Sequence, residues 1–545
     1  MKTTAIGPVW SAITPPVMSS RFAFVDLTME LTAIAMDLMI LMLNLKKYQN
    51  KLGGIISPSL INLKQLRYLD LSCNNFGSSK IPTFIGYFQN LSYLNVSKSQ
   101  FYGEIPHHHG NLSMLQVLAL QGDPVFRNLY SKSLKWLKNL KRLKHLDMSG
   151  VDLVRASDWL QNLSLIVHIE LSNNENVEKI PKSLSNLCNL ITLDLQSNEF
   201  HGDVSELLKN FCEWTIPESL GSLSFLKTLE MNINQLVGSI PNMVGGLSSL
   251  NFLDLSYNKL NGSLPESIGQ LGKLTFASLH HNSLTGIVTE HHFANLSALK
   301  TLWVRDNKLV FKLSVTNWIL PFQLDVLRIG SSSLGPSKLG DVRFLTPGAK
   351  LDLSANHFYG LLPYNLSRPD LEFLDLSYNN LFGSLIQFLC SIIQEPCQLK
   401  VLVLGNNNLS GVISNCWINW GSLEILDLQE NKLSGEIPSS IGNISSLVSL
   451  AVHNNRPSKK LRVSLSNSKS LVIIELAENR LSRRIPTSIG GDDTSLRLLS
   501  LHSNKLEGEI LNEICRISSL QILDLAHNDL FGNLPTCFRN FSVIS

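Results

Sequence analysis

The chain has 545 residues, of which 44% are hydrophobic and only 16% are charged, and its formal net charge is +3. A charge so close to neutral on so long a chain gives no support to nucleic-acid binding. The length alone would suggest several globular domains, but the chain carries an internal repeat, and a repeat array grows without needing a larger globular core.

The first 45 residues do not carry the repeat. Their apolar stretch, Leu31 to Leu45, contains Asp37 and is shorter than the roughly 20 residues that a membrane span requires. It also begins late for a signal peptide and follows several prolines. We expect residues 1–45 to form an atypical, partly helical segment that lies against the first repeat.

The repeat occupies residues 46–545 and is clearest from Leu423 to Pro438, LEILDLQENKLSGEIP. Leu426 and Leu428 alternate with period two, which predicts a short strand with one buried face. Asn431 follows where the chain turns, and an inward amide can pair with backbone groups that the turn leaves free. Gly435 permits a tight bend, and Pro438 ends further strand pairing.

Nineteen units of this kind can be aligned, and from Leu399 onward they are 24 or 25 residues apart. Their first residues are Leu66, Leu91, Leu115, Leu143, Ile166, Leu190, Leu226, Leu250, Leu274, Leu299, Leu324, Gly348, Leu371, Leu399, Leu423, Leu447, Leu471, Leu496 and Leu520. This period and pattern are those of leucine-rich repeats. We predict a repeat solenoid with one parallel β-sheet on its concave side, one short strand per unit, and loops, 3₁₀ turns and short helices on its convex side.

Three places break the rhythm. The step after Leu190 is 36 residues, so we expect an irregular break near 201–225 and no strand of His201 to Thr215 in register with its neighbours. Gly348 stands where a leucine should begin a unit. In the long step after Leu115, Trp136 and, farther on, Trp159 are expected to cover the enlarged loops.

Eight cysteines are scattered along the chain without any C-x-x-C pair, so zinc is not expected. Cys390 and Cys397 are close in sequence and lie within an enlarged step, which makes them the candidate disulfide. The alternative is that most of the cysteines are small buried residues of the repeat core.

Ten N-x-S sequons indicate a secreted chain, because several recur on the turn that leads into the next strand. The glycosylation candidates are Asn90, Asn95, Asn111, Asn162, Asn261, Asn295, Asn365, Asn408, Asn443 and Asn540.

Motifs of catalysis are missing from the sequence. It contains no protein-kinase motif set and no G-x-S-x-G nucleophile elbow, so we predict that it is not an enzyme and needs no cofactor. The histidine runs His107 to His109, His280–His281 and His291–His292 are adjacent in sequence, and neighbours on a strand point to opposite faces, so no metal site is predicted. We interpret these histidines as exposed polar residues.

Binding is better supported than catalysis. Between the inward leucines, the intervening side chains form columns on the concave sheet, and most units place Asp, Ser or Asn there. Ligand contacts are expected where aromatic or charged groups replace that set, because such residues dominate binding energy. The contiguous candidates are Tyr257, Phe276, His280, His281, Trp303, Arg305, Asp306 and Arg328. We predict that the Trp303 side chain stands out of the concave sheet; the alternative is that it folds flat over the neighbouring strand.

Several stretches resemble one known family. IPTFIGYFQNLSYLNVSKSQFYGEIP, HLDMSGVDLVRASDWL, NCWINWGSLEILDLQENKLSGEIPSSIG and EICRISSLQILDLAHNDLFGNLPTCF are similar to plant leucine-rich-repeat receptor-like proteins, of the type that includes receptors for fungal ethylene-inducing xylanase. The resemblance covers about Leu52 to Phe541 and implies the plant-type right-handed superhelix. It also implies a receptor without its own kinase, which binds a protein or peptide elicitor or signal at the plasma membrane and signals through receptor-like kinases in defence or development.

The chain departs from that family plan at both ends. It lacks the paired-cysteine cap near its start, and it stops at Ser545 in repeat rhythm, so we expect a truncated receptor. The alternative function is a secreted soluble repeat protein that inhibits a microbial wall-degrading hydrolase or acts as a decoy. The sequence leaves both functions open.

Overall fold

The structure is a computed structural model that describes most of residues 51–539. It does not describe positions 78, 123–128, 155, 157–162, 164, 175–183, 185–186, 188, 206–224, 313–320, 332, 335–344, 363–369, 391–395, 462–464, 466–467, 487–488 and 490–494. The expectations for residues 1–45, for Trp159 and for the sequons at Asn162, Asn365 and Asn540 therefore lie outside the described residues.

One parallel sheet of nineteen strands runs the length of the chain, and each predicted unit contributes one strand. In most strands the middle side chain is buried, as the alternating leucines predict, and the first and third lie on the concave face, where they vary from exposed, as Tyr68, to buried, as Asp427. The strands, numbered here in chain order, are β1 Tyr68–Asp70, β2 Tyr93–Asn95, β3 Val117–Ala119, β4 His145–Asp147, β5 His168–Glu170, β6 Thr192–Asp194, β7 Thr228–Glu230, β8 Phe252–Asp254, β9 Phe276–Ser278, β10 Thr301–Trp303, β11 Leu324–Arg328, β12 Leu345–Asp352, β13 Phe373–Asp375, β14 Val401–Val403, β15 Ile425–Asp427, β16 Ser449–Ala451, β17 Ile473–Glu475, β18 Leu498–Ser500 and β19 Ile522–Asp524.

The main sheet has one strand per unit, as predicted, but many units also contain a second short strand after the turn, which was not predicted. These second strands are Gly103–Glu104, Leu129–Tyr130, His201–Asp203, Gln235–Val237, Thr285–Val288, Lys308–Phe311, Ser333–Leu334, Tyr359–Leu361, Asn380–Ser384, Asn408–Val412, Lys432–Gly435, Arg456–Lys459, Arg480–Arg483, Lys505–Gly508 and Asp529–Leu530. They pair with their counterparts one unit away, and eight of them form one lateral sheet. In Lys432–Gly435, Gly435 has φ 82°, and a Cβ there would lie 2.9 Å from Val412 Cγ1, so the bend requires glycine.

Short 3₁₀ turns close most units on the convex side. They are Pro58–Asn62, Thr83–Tyr87, His107–Asn111, Lys135–Asn139, Asn242–Gly246, Glu266–Gln270, Glu290–Phe293, Trp417–Asn419, Ser439–Asn443, Asn512–Arg516 and Thr536–Arg539, and Ile386–Leu389 forms one α-helical turn. No helix in the described part of the chain is long and apolar enough to cross a membrane.

An asparagine in nearly every unit holds the turn after the strand. The Asn431 amide donates to the carbonyls of Leu404, Leu428 and Gln429 at 2.9–3.2 Å, and its Oδ1 accepts from the Leu409 N–H at 2.9 Å. The same pattern recurs at Asn258, Asn282, Asn307, Asn379, Asn407, Asn455, Asn479, Asn504 and Asn528. The inward amide deduced for Asn431 is confirmed, and it links each unit to the one before.

At the irregular break the main sheet continues directly from β6 to β7, with Leu193 opposite Leu229. His201–Asp203 is a strand, but it pairs with Gln235–Val237 outside the main sheet. The remainder of the predicted break, residues 206–224, lies outside the described residues. At the second defect Gly348 has φ 79°, and the long strand β12 passes through it.

The candidate disulfide between Cys390 and Cys397 is wrong. Cys390 is bonded to Cys416, 26 residues away with Cα atoms 5.2 Å apart, while Cys397 is a free, buried thiol. The reason is geometric: a residue's neighbours across the solenoid are about one repeat away in sequence. Cys515 and Cys537 form a second such bond, 22 residues apart.

The assignment of the disulfides predicts how the two free thiols, Cys397 and Cys73, react. Burial raises the pKa of the Cys397 thiol to about 11, so it should resist alkylation by iodoacetamide until the chain is unfolded, whereas exposed Cys73 should react in the native protein. Peptide mapping by mass spectrometry without reduction should recover Cys390 linked to Cys416. A peptide linking Cys390 to Cys397 would contradict the assignment.

Candidate functional site

The concave surface is built from columns of side chains that the sheet register aligns. Asp254, Ser278, Trp303 and Arg328 are aligned across strands β8 to β11, so Trp303 occupies the strand position that Asp254 has two units earlier. Phe252 and Phe276 share the column two residues earlier. The concave face therefore carries successive aromatic and charged residues on four adjacent strands.

All eight predicted residues lie in one connected group, which we call the concave cluster: Tyr257, Phe276, His280, His281, Trp303, Arg305, Asp306 and Arg328. Tyr257 stacks on His281 with ring centroids 4.3 Å apart, and its ring is 5.0 Å from that of His280. His280 in turn meets Trp303 edge-on at 5.6 Å. That these residues bind a ligand stays a prediction; the structure supplies their proximity.

The orientation of the Trp303 side chain matches neither of the two alternatives fully. Its ring lies on the concave face but is half-buried, with Phe276 edge-on at 5.5 Å and the Arg328 guanidinium 4.8 Å from its centroid. It packs edge-on and not flat over its neighbours. Its indole N–H is buried and has no acceptor among the described residues.

The two arginines of the concave cluster differ in their pairing. Arg305 Nε donates to Asp306 Oδ2 at 2.7 Å, and its Nη1 lies 3.7 Å from Asp352. Arg328 Nε is buried and lacks an acceptor, and the described part of the chain shows no carboxylate within ion-pairing distance of its guanidinium. Among the described residues, Arg305 is therefore ion-paired and Arg328 is not, while the charges of Asp352 and Asp375 act on Arg328 over a longer distance.

The surroundings in the concave cluster lower the pKa of two of its groups, which favours the neutral form of His280 and the charged form of Asp306. Burial, together with the charges of His281 and Arg305, lowers the pKa of His280 to about 4, so this ring is neutral at pH 7. Burial alone would raise the pKa of Asp306, but its hydrogen bond to Arg305 and the Arg305 charge outweigh burial and lower it. His281 Nε2 lies 3.1 Å from that carboxylate.

Two features of the site were not identified from the sequence. Phe252 stacks on Phe276 with centroids 4.2 Å apart and planes 2° from parallel, which extends the aromatic surface to β8. The signal was present, because Phe252 and Phe276 are 24 residues apart. Tyr257, His281 and Asp306 also share a left-handed backbone, with φ of 50–55°. This conformation is unusual for residues with a side chain.

The aspartate column has a structural role that the sequence analysis missed. Most of its carboxylates accept a hydrogen bond from the backbone N–H two residues later, which fixes the start of the turn. The pairs are Asp70–Ser72, Asp147–Ser149, Asp194–Gln196, Asp254–Ser256, Asp352–Ser354, Asp375–Ser377, Asp427–Gln429 and Asp524–Ala526.

A row of five carboxylates, the acidic ladder, runs along this column on β4 to β8. Its members are Asp147, Glu170, Asp194, Glu230 and Asp254. Burial, and then the charges of its neighbours, raises the pKa of Glu170 to about 7 and that of Glu230 to about 7. Among the described residues, His145 at 3.9 Å from Glu170 is the nearest basic partner, and no lysine or arginine pairs with the ladder.

The expectation that all histidines of the runs are exposed is wrong for two of them. His109 and His292 are buried, at 0% and 2% exposure. His292 accepts from the Thr289 N–H at 3.0 Å through Nδ1 and contacts the Leu264 carbonyl at 3.0 Å through Nε2, so it ties two units together. Burial lowers the pKa of His109 to about 4.

The described sequons mostly lie on the outside of the turns. Asn90, Asn111, Asn295 and Asn443 are exposed at or just after 3₁₀ turns. Asn261 and Asn408 are exposed near or on lateral strands. Asn95 differs, since it is a half-buried residue of β2 whose amide contacts Asp70 at 3.4 Å.

The buried carboxyl of Asp375, in the aspartate column, predicts how the stability of the protein depends on pH. Burial, and then the Asp352 charge, raises the pKa of Asp375 to about 8 from its ordinary value of 3.8. Folding therefore favours the protonated form, and this group's contribution to stability is lost as pH rises from about 4 to 8. Asp375→Asn mimics that form and keeps an acceptor for Ser377, so it should raise the midpoint of urea unfolding at pH 8 and change it little at pH 4.

The matched control for this experiment is Asp529→Asn, which changes an exposed carboxyl. It should leave the midpoint unchanged at both pH values. An Asp375→Asn protein that is less stable than wild type at pH 8 would contradict the prediction.

Comparison with known proteins agrees with the fold. The family described as leucine-rich repeat region matches residues 38–218, and the leucine-rich repeat family matches residues 249–271, 370–392, 422–444 and 519–541. The chain is a leucine-rich-repeat protein. Its repeats are similar to those of plant receptor-like proteins, as the sequence motifs had indicated.

Two relatives from Solanum lycopersicum illustrate this similarity. A segment of 99 residues is 46% identical to receptor-like protein EIX1. This match covers 18% of this chain and 9% of EIX1. A segment of 55 residues is 56% identical to receptor-like protein EIX2. This match covers 10% of this chain and 5% of EIX2. The matched segments thus span a tenth or less of these relatives.

Solved structures match over most of the chain. The crystal structure of PEPR1–AtPEP1 has a TM-score of 0.71 at 27% identity, covering 91% of this chain and 67% of that one. The Arabidopsis receptor kinase HAESA, in complex with the peptide hormone IDA and the co-receptor SERK1, has a TM-score of 0.68 at 26% identity, covering 90% of this chain and 79% of that one.

Proposed function

We propose that this chain is the ligand-recognition region of a plant receptor-like protein. It binds a protein or peptide elicitor or signal on its concave surface, at the outer face of the plasma membrane. It passes the event to partner receptor kinases in defence or development. The proposal assigns no catalytic activity to the chain.

The observation that carries this proposal is the concave cluster itself. Eight aromatic and charged residues contributed by four adjacent repeat units form one connected group, and half-exposed Tyr257 lies at its margin. Aromatic and arginine side chains of this kind supply most of the energy of protein interfaces. The similarity to receptor-like proteins and to ectodomains solved with peptide hormones agrees with that reading.

Affinity selection followed by footprinting tests the proposal. The ectodomain is incubated with pooled synthetic decapeptides and, separately, with fungal culture filtrate, and the retained ligand is identified by mass spectrometry. Hydroxyl-radical footprinting of the complex should protect Tyr257, Phe276 and Trp303. Exposed Tyr359 on the lateral sheet is the internal control and should remain reactive. Protection of Tyr359 without protection of Tyr257 would place the ligand elsewhere and contradict the proposal.

A further inference from the structure

Two pairs of adjacent basic residues are brought together on the lateral sheet. Lys459–Lys460 and Arg483–Arg484 are 24 residues apart, so the repeat places them at the same position of two neighbouring units. Their strands, Arg456–Lys459 and Arg480–Arg483, pair directly with each other. Six exposed cations lie on and just after these strands, and we call them the basic lateral patch: Arg456, Lys459, Lys460, Arg480, Arg483 and Arg484.

Carboxylates neutralise only part of this charge. Lys459 Nζ lies 3.0 Å from Glu436, and Arg483 Nη1 lies 4.0 Å from Glu507. The side chains of the second pair are mostly exposed, and an ion pair of that kind contributes little. In the described part of the chain, no carboxylate lies within ion-pairing distance of the other four cations. The basic lateral patch therefore presents a net positive charge to solvent.

The backbone beneath this patch adopts a conformation that the flanking units reserve for glycine. At the equivalent position these units have Gly435 and Gly508, with φ 82° and 93°. Lys459 and Arg483 adopt the same left-handed conformation, with φ 70° and 74°. A residue with a Cβ reaches this conformation at a cost in free energy that glycine does not incur. The stability of the fold therefore does not explain why two cations stand at these positions.

The surroundings of the patch decide which kind of anionic partner fits it. From Asn419 to Gln521, no described residue is an exposed large hydrophobic side chain. Protein interfaces depend on aromatic or apolar anchors, and stable membrane attachment combines basic residues with an apolar group. Single-stranded nucleic acids stack their bases on aromatic rings. A polysaccharide with a carboxylate on each sugar needs none of these, because guanidinium groups bind carboxylates and the half-buried hydroxyls of Ser458 and Ser482 can pair with sugar hydroxyls.

We propose that the basic lateral patch binds an acidic polysaccharide, a linear polymer of uronic acids. Cations recur on every strand from Lys432–Gly435 to Lys505–Gly508, and four strands about 4.8 Å apart extend this array over about 14 Å. A regular row of cations matches the regular row of carboxylates on such a polymer. The patch lies on a different face from the concave cluster, so this binding goes beyond the proposed function and is compatible with it.

Biolayer interferometry of the full chain on immobilised polygalacturonate tests this inference. Wild-type protein should bind the polymer, lose affinity roughly tenfold when NaCl rises from about 50 mM to about 200 mM, and fail to bind the uncharged methyl ester of the same polymer. The triple variant Arg456→Gln, Arg480→Gln and Arg484→Gln should bind at least tenfold more weakly. Its matched control replaces three exposed arginines outside the patch and should bind as wild type does: Arg67→Gln, Arg142→Gln and Arg497→Gln.

The left-handed cations provide a second test. Lys459→Gly combined with Arg483→Gly relieves the backbone strain, so it should raise the midpoint of urea unfolding while it weakens binding of polygalacturonate. Absence of wild-type binding, equal binding of the methyl ester, or equal losses in the triple variant and its control would overturn the inference. Tighter binding of phosphatidylserine vesicles or of poly(U) RNA than of polygalacturonate would assign the patch to another class of partner and overturn it as well.

Discussion

Replacing Asn431 by alanine should lower the free energy of unfolding by about 3–5 kcal/mol, because it removes four hydrogen bonds at once. The carbonyls of Leu404, Leu428 and Gln429 and the N–H of Leu409 would be left without this partner in the interior. A cavity-filling water cannot reproduce all four bonds, since a buried water makes about three. Urea unfolding followed by circular dichroism measures the loss.

The control for Asn431 is Asn251→Ala, which changes an exposed asparagine just before β8. Its effect should fall within about 0.5 kcal/mol of wild type, as is usual for surface substitutions. Because repeat arrays can unfold in parts, hydrogen exchange at Leu409 and Leu433 should locate the weakening at the units around Asn431. An Asn431→Ala protein as stable as the Asn251→Ala protein would contradict the structural role of the asparagines.

Replacing Trp303 by alanine should weaken binding of the selected ligand by about 2 kcal/mol or more, or roughly thirtyfold in affinity. The ring contacts Phe276, His280 and Arg328, so its removal disconnects the aromatic part of the concave cluster from the cation. Titration calorimetry measures the affinity, and thermal unfolding measures how much of the effect is loss of packing.

Tyr93→Ala is the matched control for Trp303, since Tyr93 is an aromatic of the same concave sheet that stacks on Tyr68 at 4.1 Å, far from the concave cluster. It should leave the affinity unchanged. Equal affinity of wild type and Trp303→Ala, or a lower melting temperature as the single effect, would show that the indole has only a packing role.

Much of the fold could be predicted because the leucine period encodes it directly. The nineteen strands follow from residues such as Leu426 and Leu428, and the inward role of Asn431 follows from its chemistry at a turn. The second strands could not be predicted in this way. Lys432–Gly435 has little apolar alternation, and its pairing is made by the neighbouring unit.

That the eight candidate residues lie close together could be predicted, but the contacts between their side chains could not. A repeat of 24 or 25 residues is enough to align Asp254, Ser278 and Trp303 on neighbouring strands. It does not show that Arg305 reaches Asp352 two units away, or that Arg328 has no ion pair among the described residues. The same limitation led to Cys397 as the partner of Cys390, because contacts across the solenoid depend on the side-chain geometry of adjacent units.

Photo-crosslinking tests the binding surface most directly. A benzophenone amino acid is placed at Tyr257, which is 49% exposed beside the concave cluster, and in a second protein at Tyr359, which is 71% exposed on the lateral sheet. Irradiation with the selected ligand should give a covalent adduct from position 257 and none from position 359. An adduct from position 359 alone would contradict ligand recognition by the concave surface.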